Sequence, residues 1–173
     1  MTTTQSLGTH ERRDDGTHVL RYERHLRHPV DRVWRAITEP SEVVGWLADA
    51  DIDLREGGRV QFRWLNTGDG GEQAVATGTV ARLDAPWLVE YDTDIHGRVR
   101  FELEPEGDGA TRLRLTVEHP DLDEHLDSVL PGWHVHLEHL DAALDGEPVD
   151  WPRWNTEHRP RWAQLRAEYL GGS

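Results

Sequence analysis

The sequence predicts an α+β fold, an antiparallel meander of strands with one face covered by a long helix. Three observations carry this expectation. A strand-like segment is followed directly by two short helical ones. About six further segments alternate apolar and polar residues and are joined by short, breaker-rich loops. After Pro120 the period becomes helical, and Trp133, Leu137, Leu140 and Leu144 fall in one narrow arc.

Residues 1–16 are polar, with a charged run from Glu11 to Asp15, and read as a flexible tail. In residues 17–26, Leu20, Tyr22 and Leu26 share one parity, which predicts a strand. Arg24 lies on the same parity and is expected to point inward. Pro29 opens a helix through Thr38, with Asp31 in its first turn and Val30, Val33, Trp34 and Ile37 as its apolar face. Pro40 restarts the chain into a second short helix whose contacts are Val43, Val44, Trp46 and Leu47.

Ile52 and Leu54 lead to a hairpin turn at Gly57 and Gly58, after which Val60, Phe62 and Trp64 alternate with Arg59, Gln61 and Arg63. Residues 66–72 are a Gly/Asp/Asn loop, and four more strands are expected over 73–83, 87–93, 98–103 and 111–119. The long helix is expected from about residue 130 to 144, closed at Gly146. A last helix near the C-terminus puts Trp162, Leu165 and Tyr169 on one side. The expected organisation is a tail over 1–16, a domain over 17–146 and a Trp-rich extension with a short helix over 147–173.

Composition narrows the partners. A chain of 173 residues, 36% hydrophobic and with eight tryptophans, has the apolar surface to build one substantial core. The net charge is −14, from 33 acids against 19 bases, all of them arginine. Such a surface repels phosphate backbones and anionic headgroups, so nucleic acid and membrane are not expected partners. Without cysteine there is no disulfide, thiol nucleophile or thiolate metal site. No stretch approaches the ~20 apolar residues of a membrane span, and a cytoplasmic location is the default expectation.

Several short motifs, taken in order, resemble the START-like (SRPBCC) superfamily. The nearer branch is similar to the C-terminal domain of activators of heat-shock protein 90 ATPase. The carrying residues are Arg24, Pro29, Val33, Trp34, Thr38, Pro40 and Trp46; Arg55 to Phe62 (REGGRVQF); Gly78 to Tyr91; Thr111 to His119; and the helix from Gly132. They cover roughly residues 17 to 146. The resemblance implies a helix-grip fold: a curved antiparallel sheet of about six or seven strands wrapped around the long C-terminal helix, two short helices after the first strand, and a pocket between sheet and helix. It does not imply one activity, because this fold hosts lipid carriers, cyclases, hydrolases and chaperone regulators.

The expected pocket lining is Trp46, Phe62, Trp64, Tyr91, Phe101, Leu115, Val117, Trp133, His136 and Leu137, an aromatic wall suited to a flat apolar ligand; each of these also reads as ordinary core. His136 sits about 60° from the apolar arc at roughly 100° per residue, close enough to edge into the pocket as a hydrogen-bonding group or general base. His119 continues the inward parity of Leu113, Leu115 and Val117 and marks a second candidate, at the pocket mouth. A satisfied structural histidine is the plainer reading of both.

Arg24 reads as a structural guanidinium or as a clamp for an acidic ligand group. His134, His136 and His139 do not make a metal site, because His134 and His136 project to nearly opposite faces of a helix. Gly57 and Gly58 open no helix, so they are not a phosphate loop. The acidic run Asp121, Asp123, Glu124 and Asp127 lacks calcium-loop spacing and reads as a solvated face. No catalytic-triad or dinucleotide fingerprint appears, and no metal or cofactor is expected.

The expected function is binding of an apolar or aromatic small molecule, as carrier or sensor. The alternatives are a cyclase or dehydratase of polyketide-like substrates in the same pocket, with His136 or His119 as base, and a chaperone-associated regulator. The regulator ranks last because that activity belongs to multidomain relatives and this chain offers no second domain. Trp151, Trp154 and Trp162 must bury against something: the domain's own outer face, the pocket as a lid, or a partner protein or second copy in a homodimer.

Overall fold

Strands form where apolar residues recur at every second position, and the computed structural model, which describes residues 5–66 and 73–171, joins them into one sheet. In chain order they are β1 (Thr9–Arg12), β2 (His18–Leu26), β3 (Asp49–Ile52), β4 (Arg59–Arg63), β5 (Val75–Asp84), β6 (Leu88–Thr93), β7 (Gly97–Pro105) and β8 (Thr111–His119). The eight-stranded sheet runs β1-β2-β8-β7-β6-β5-β4-β3, with every pairing antiparallel. Between β2 and β3, helices α1 (Val30–Thr38) and α2 (Pro40–Val43) carry the chain to the opposite edge, from which β3 to β8 meander back.

Register places the predicted inward parity on one face. Tyr22 pairs with Leu115, which in turn pairs with Phe101, and Tyr91 pairs with Val99. These residues join Val33 and Ile37 of α1 and Trp46 in the main core. Covering them is α3 (Leu126–Leu144), whose Leu130, Trp133, Leu137, Leu140 and Leu144 are buried in the same cluster. Each such side chain contributes roughly 1.5–3 kcal/mol through burial, so the sheet–helix interface dominates stability.

Three expectations need correction. The expected tail contains β1, which pairs Thr9 with Arg21 and Arg12 with His18 while all four of its residues stay exposed. An exposed edge strand, held by backbone bonds and surface pairs such as Glu11–Arg21, leaves no apolar period to read, and with it the sheet has eight strands, not six or seven. The second helix ends at Val43, and Trp46 and Leu47 follow in a turn. The long helix begins at Leu126, four residues before expected, because Pro131 lies inside it and not at its start. A proline there removes one backbone donor without ending the helix. Of the loop expected over 66–72, residues 67–72 lie outside the described residues.

The helix closes at Gly146, as expected: its φ of 90° lets Glu147 N–H reach back to Ala142 O at 2.9 Å. Beyond it the chain forms a 3₁₀ turn (Trp151–Arg153), α4 (Trp154–Glu157) and α5 (Arg159–Gly171). Trp154 and Leu165 pack with Val135 on the face of α3 turned away from the sheet, a second and smaller core. α3 is therefore covered on both sides. Among the described residues no helix is long and apolar enough to cross a membrane.

Candidate functional site

In a meander, alternate loops gather at one end of the sheet. The end of β4 and the β6–β7 turn therefore meet, and they bring Trp64 beside His96 with ring centroids 4.7 Å apart. The first half of α3 crosses this end and adds Trp133 (5.6 Å from Trp64) and His136 (5.2 Å from Trp64), both edge-on. The C-terminal segment closes the outside with Trp154, Asn155, Arg159 and Trp162. The cavity they line has a volume of about 370 Å³. That lies within the usual size range of small-molecule sites.

Deeper in, a void of only about 20 Å³ sits among Leu47, Phe62, Tyr91 and Phe101. Trp64, His96 and Trp133 line both spaces and form the layer between them. The predicted pocket is thus displaced toward the end of the sheet. Trp64, Trp133 and His136 line the larger cavity, whereas Phe62, Tyr91 and Phe101 surround only the small void. Trp46, Leu115, Val117 and Leu137 line neither and are packed core, each 1% exposed or less.

The two candidate histidines separate clearly. His136 is 5% exposed, and its Nδ1–H donates to the Gly132 carbonyl at 2.7 Å. That bond assigns the tautomer and leaves Nε2 as a lone-pair acceptor, buried and without a protein partner. Burial holds its pKa at about 4, so the ring is neutral near pH 7. His119 lies outside the cavity lining. Its Nε2–H donates to Ile95 O at 2.8 Å, and its Nδ1 accepts from Asp121 N–H at 3.0 Å. With both nitrogens committed, His119 is a turn brace.

The other polar residues singled out in the sequence lie outside both linings, and there Arg24 Nη2 and His134 Nε2 are also buried without a hydrogen-bond partner. Arg24 lines neither space; its Nε donates to Gln5 Oε1 at 2.7 Å and its Nη1 to Glu23 O at 2.7 Å. His139 accepts from Trp154 Nε1–H at 3.0 Å, and burial pushes its pKa down to about 2. His134, on another face of α3, lies 2.8 Å from the Tyr169 hydroxyl, which accepts from Gly8 N–H at 2.7 Å. Among the described residues no three His, Asp or Glu side chains gather as a metal cluster. Of the acidic run, Asp123 pairs with His18 and Arg12, and Asp127 with Arg166.

Sequence reasoning missed His96 and Asn66, and it had a lid over the pocket as one of several alternatives for Trp154 and Trp162. His96 precedes Gly97 in a short turn and carries no period. Burial holds its pKa at about 4, and its Nε2 has no partner. The turn's place at the same sheet end as Trp64, given by strand alternation, was the available signal. Trp151 stacks over His136 with centroids 6.1 Å apart, and its Nε1–H donates to Val44 O at 2.7 Å. The extension's tryptophans therefore pack onto α3 and also wall the cavity.

The fold compares with several solved structures. The chain is similar to the solution structure of CalU16 from Micromonospora echinospora at 24% identity, over 98% of this chain and 95% of that one, with a TM-score of 0.72. It is similar to EF2215 from Enterococcus faecalis at 16% identity, over 95% and 91%, with a TM-score of 0.68. For MLL2253 from Mesorhizobium loti the identity is 25% and the TM-score 0.62, but the match spans 76% of this chain and 99% of the other. No curated protein matches the chain in sequence. The family model described as Activator of Hsp90 ATPase homolog 1-like protein matches residues 27–145. The chain belongs to that family of helix-grip proteins.

Proposed function

We propose that this chain binds an apolar, aromatic small molecule in the cavity at the end of the sheet, as a carrier or sensor. The observation that carries the reading is the cavity itself. About 370 Å³ is walled by Trp64, Trp133, Trp154 and Trp162, four of the chain's eight tryptophans. Tryptophans packed only for stability fill space, as Trp46 does; these four surround it. Apolar walls with a few polar groups are the general form of a small-molecule site.

One observation favours a second reading, a cyclase or dehydratase acting on a polyketide-like substrate. The unpaired Nε2 lone pair of His136 in the cavity wall has the tautomer a general base requires. The chaperone-regulator reading draws on the family description alone.

A thermal-shift screen against fatty acids, sterols, flavonoids and aromatic polyketides tests the proposal. A ligand at about a hundred times its Kd adds roughly 2.7 kcal/mol, a rise of roughly 5–10 °C for a chain of this size. Trp162→Ala, which removes one wall, should shrink that rise. A cooperative melt unmoved by every compound would sink the binding reading. A hit also supplies the molecule for turnover assays, and conversion lost in His136→Phe would mark an enzyme.

A further inference from the structure

We propose that the cavity selects neutral hydroxylated aromatics, phenols or enols, and seats the hydroxyl between His136 Nε2 and Trp64 Nε1–H. The inference rests on the aromatic-binding reading above and names the chemical class it would take. Both side chains are at least nine-tenths buried, both line the cavity, and neither of these two atoms has a partner. Their characters are opposite. With Nδ1–H held by Gly132 O, His136 Nε2 only accepts, and an indole nitrogen only donates.

The rings lie 5.2 Å apart at 82°. A hydroxyl meets both needs at once, since it carries one donor and two lone pairs. A carboxylate accepts only and would set its lone pairs against that of Nε2. An ammonium donates only and would leave the indole N–H unmatched. Leaving a buried donor or acceptor unpaired costs about 1–3 kcal/mol, so the matching group gains a selective advantage.

The walls argue for an aromatic body to carry that hydroxyl, because Trp64 and Trp133 meet edge-on at 87° and offer both ring faces and ring edges to a flat guest. Asn66 Oδ1 and His96 Nε2, also buried without partners on the cavity lining, stand ready for a second oxygen function on the same ring system.

Isothermal titration at pH 7 with 2-naphthol, 2-methoxynaphthalene, naphthalene and 2-naphthoate tests the class. The expected result is that 2-naphthol binds at least tenfold more tightly than the other three. In His136→Phe that preference over naphthalene and the ether should fall to within about threefold, and Trp64→Phe should narrow it as well. Trp64→Phe serves alone if His136→Phe does not melt cooperatively. Equal binding of 2-naphthol, its ether and naphthalene overturns the hydroxyl class while leaving the aromatic cavity in place. Naphthoate binding as tightly as naphthol overturns neutrality. A preference that survives both substitutions overturns the assignment to these residues. Silence from all four probes overturns the binding reading beneath it.

Discussion

The two ends of the space between sheet and α3 are built from the same residue types and behave differently. At the closed end, Trp46 donates its Nε1–H to Ala36 O at 2.7 Å and Tyr91 its hydroxyl to Ile37 O at 2.8 Å. The void there is about 20 Å³. At the open end Trp64 Nε1, His96 Nε2, His136 Nε2 and Asn66 Oδ1 have no partners, and the space beside them is about 370 Å³. Aromatic content does not distinguish a core from a site. Pairing of the aromatic side chains' polar atoms distinguishes these two ends, because a well-packed interior pairs most of what it buries and a binding site leaves pairing to its guest.

Acidification gives the largest expected effect. His96, His134 and His136 are held at about 4 and His139 at about 2, chiefly by burial, against about 6.5 in an unfolded chain. The unfolded state therefore binds more protons below pH 6.5, and stability present above that pH is lost as the pH falls toward 4. Each fully depressed group adds a slope of about 1.4 kcal/mol per pH unit, so the summed loss of the four by pH 5 is on the order of 8 kcal/mol. Urea unfolding at pH 7, 6 and 5 measures it. A flat profile would mean that these rings are solvated and that burial does not depress them.

A smaller effect comes from making one substitution at both ends. Trp46→Phe should cost about 2–3 kcal/mol, through lost volume and an Ala36 carbonyl left without its donor. Trp64→Phe should cost less than about 1 kcal/mol, because the atom it deletes has no partner to strand. Equal costs, measured as chemical-denaturation differences, would break the comparison between the ends.

The same contrast explains what was legible. Periods of two and 3.6 residues revealed β2, β4 to β8 and α3, since each buries an apolar face in the main core. β1 was invisible because its four exposed residues carry no apolar period. Ten lining residues were named for the pocket, and three of them line the larger cavity. Parity says which side of a sheet a residue faces; it does not say where along the strands the packing stops.

The extension gives a second lesson. The Mesorhizobium loti protein matches 76% of this chain with 99% of its own length, whereas CalU16 matches across 98%. Helix-grip relatives thus occur with and without the equivalent of a quarter of this chain. In this chain the segment beyond Gly146 supplies Trp154 and Trp162, which wall the cavity.

By itself, the sequence determined the fold class, the strand and helix order and the apolar face of α3, because hydrophobic period is a local property. The site was decided by tertiary structure alone. A turn histidine, a strand-end tryptophan, one face of α3 and two tryptophans of the extension meet only when the meander stacks its loops at one end. Whether their polar atoms find partners there is a fact about neighbours in space, which no single-sequence period encodes.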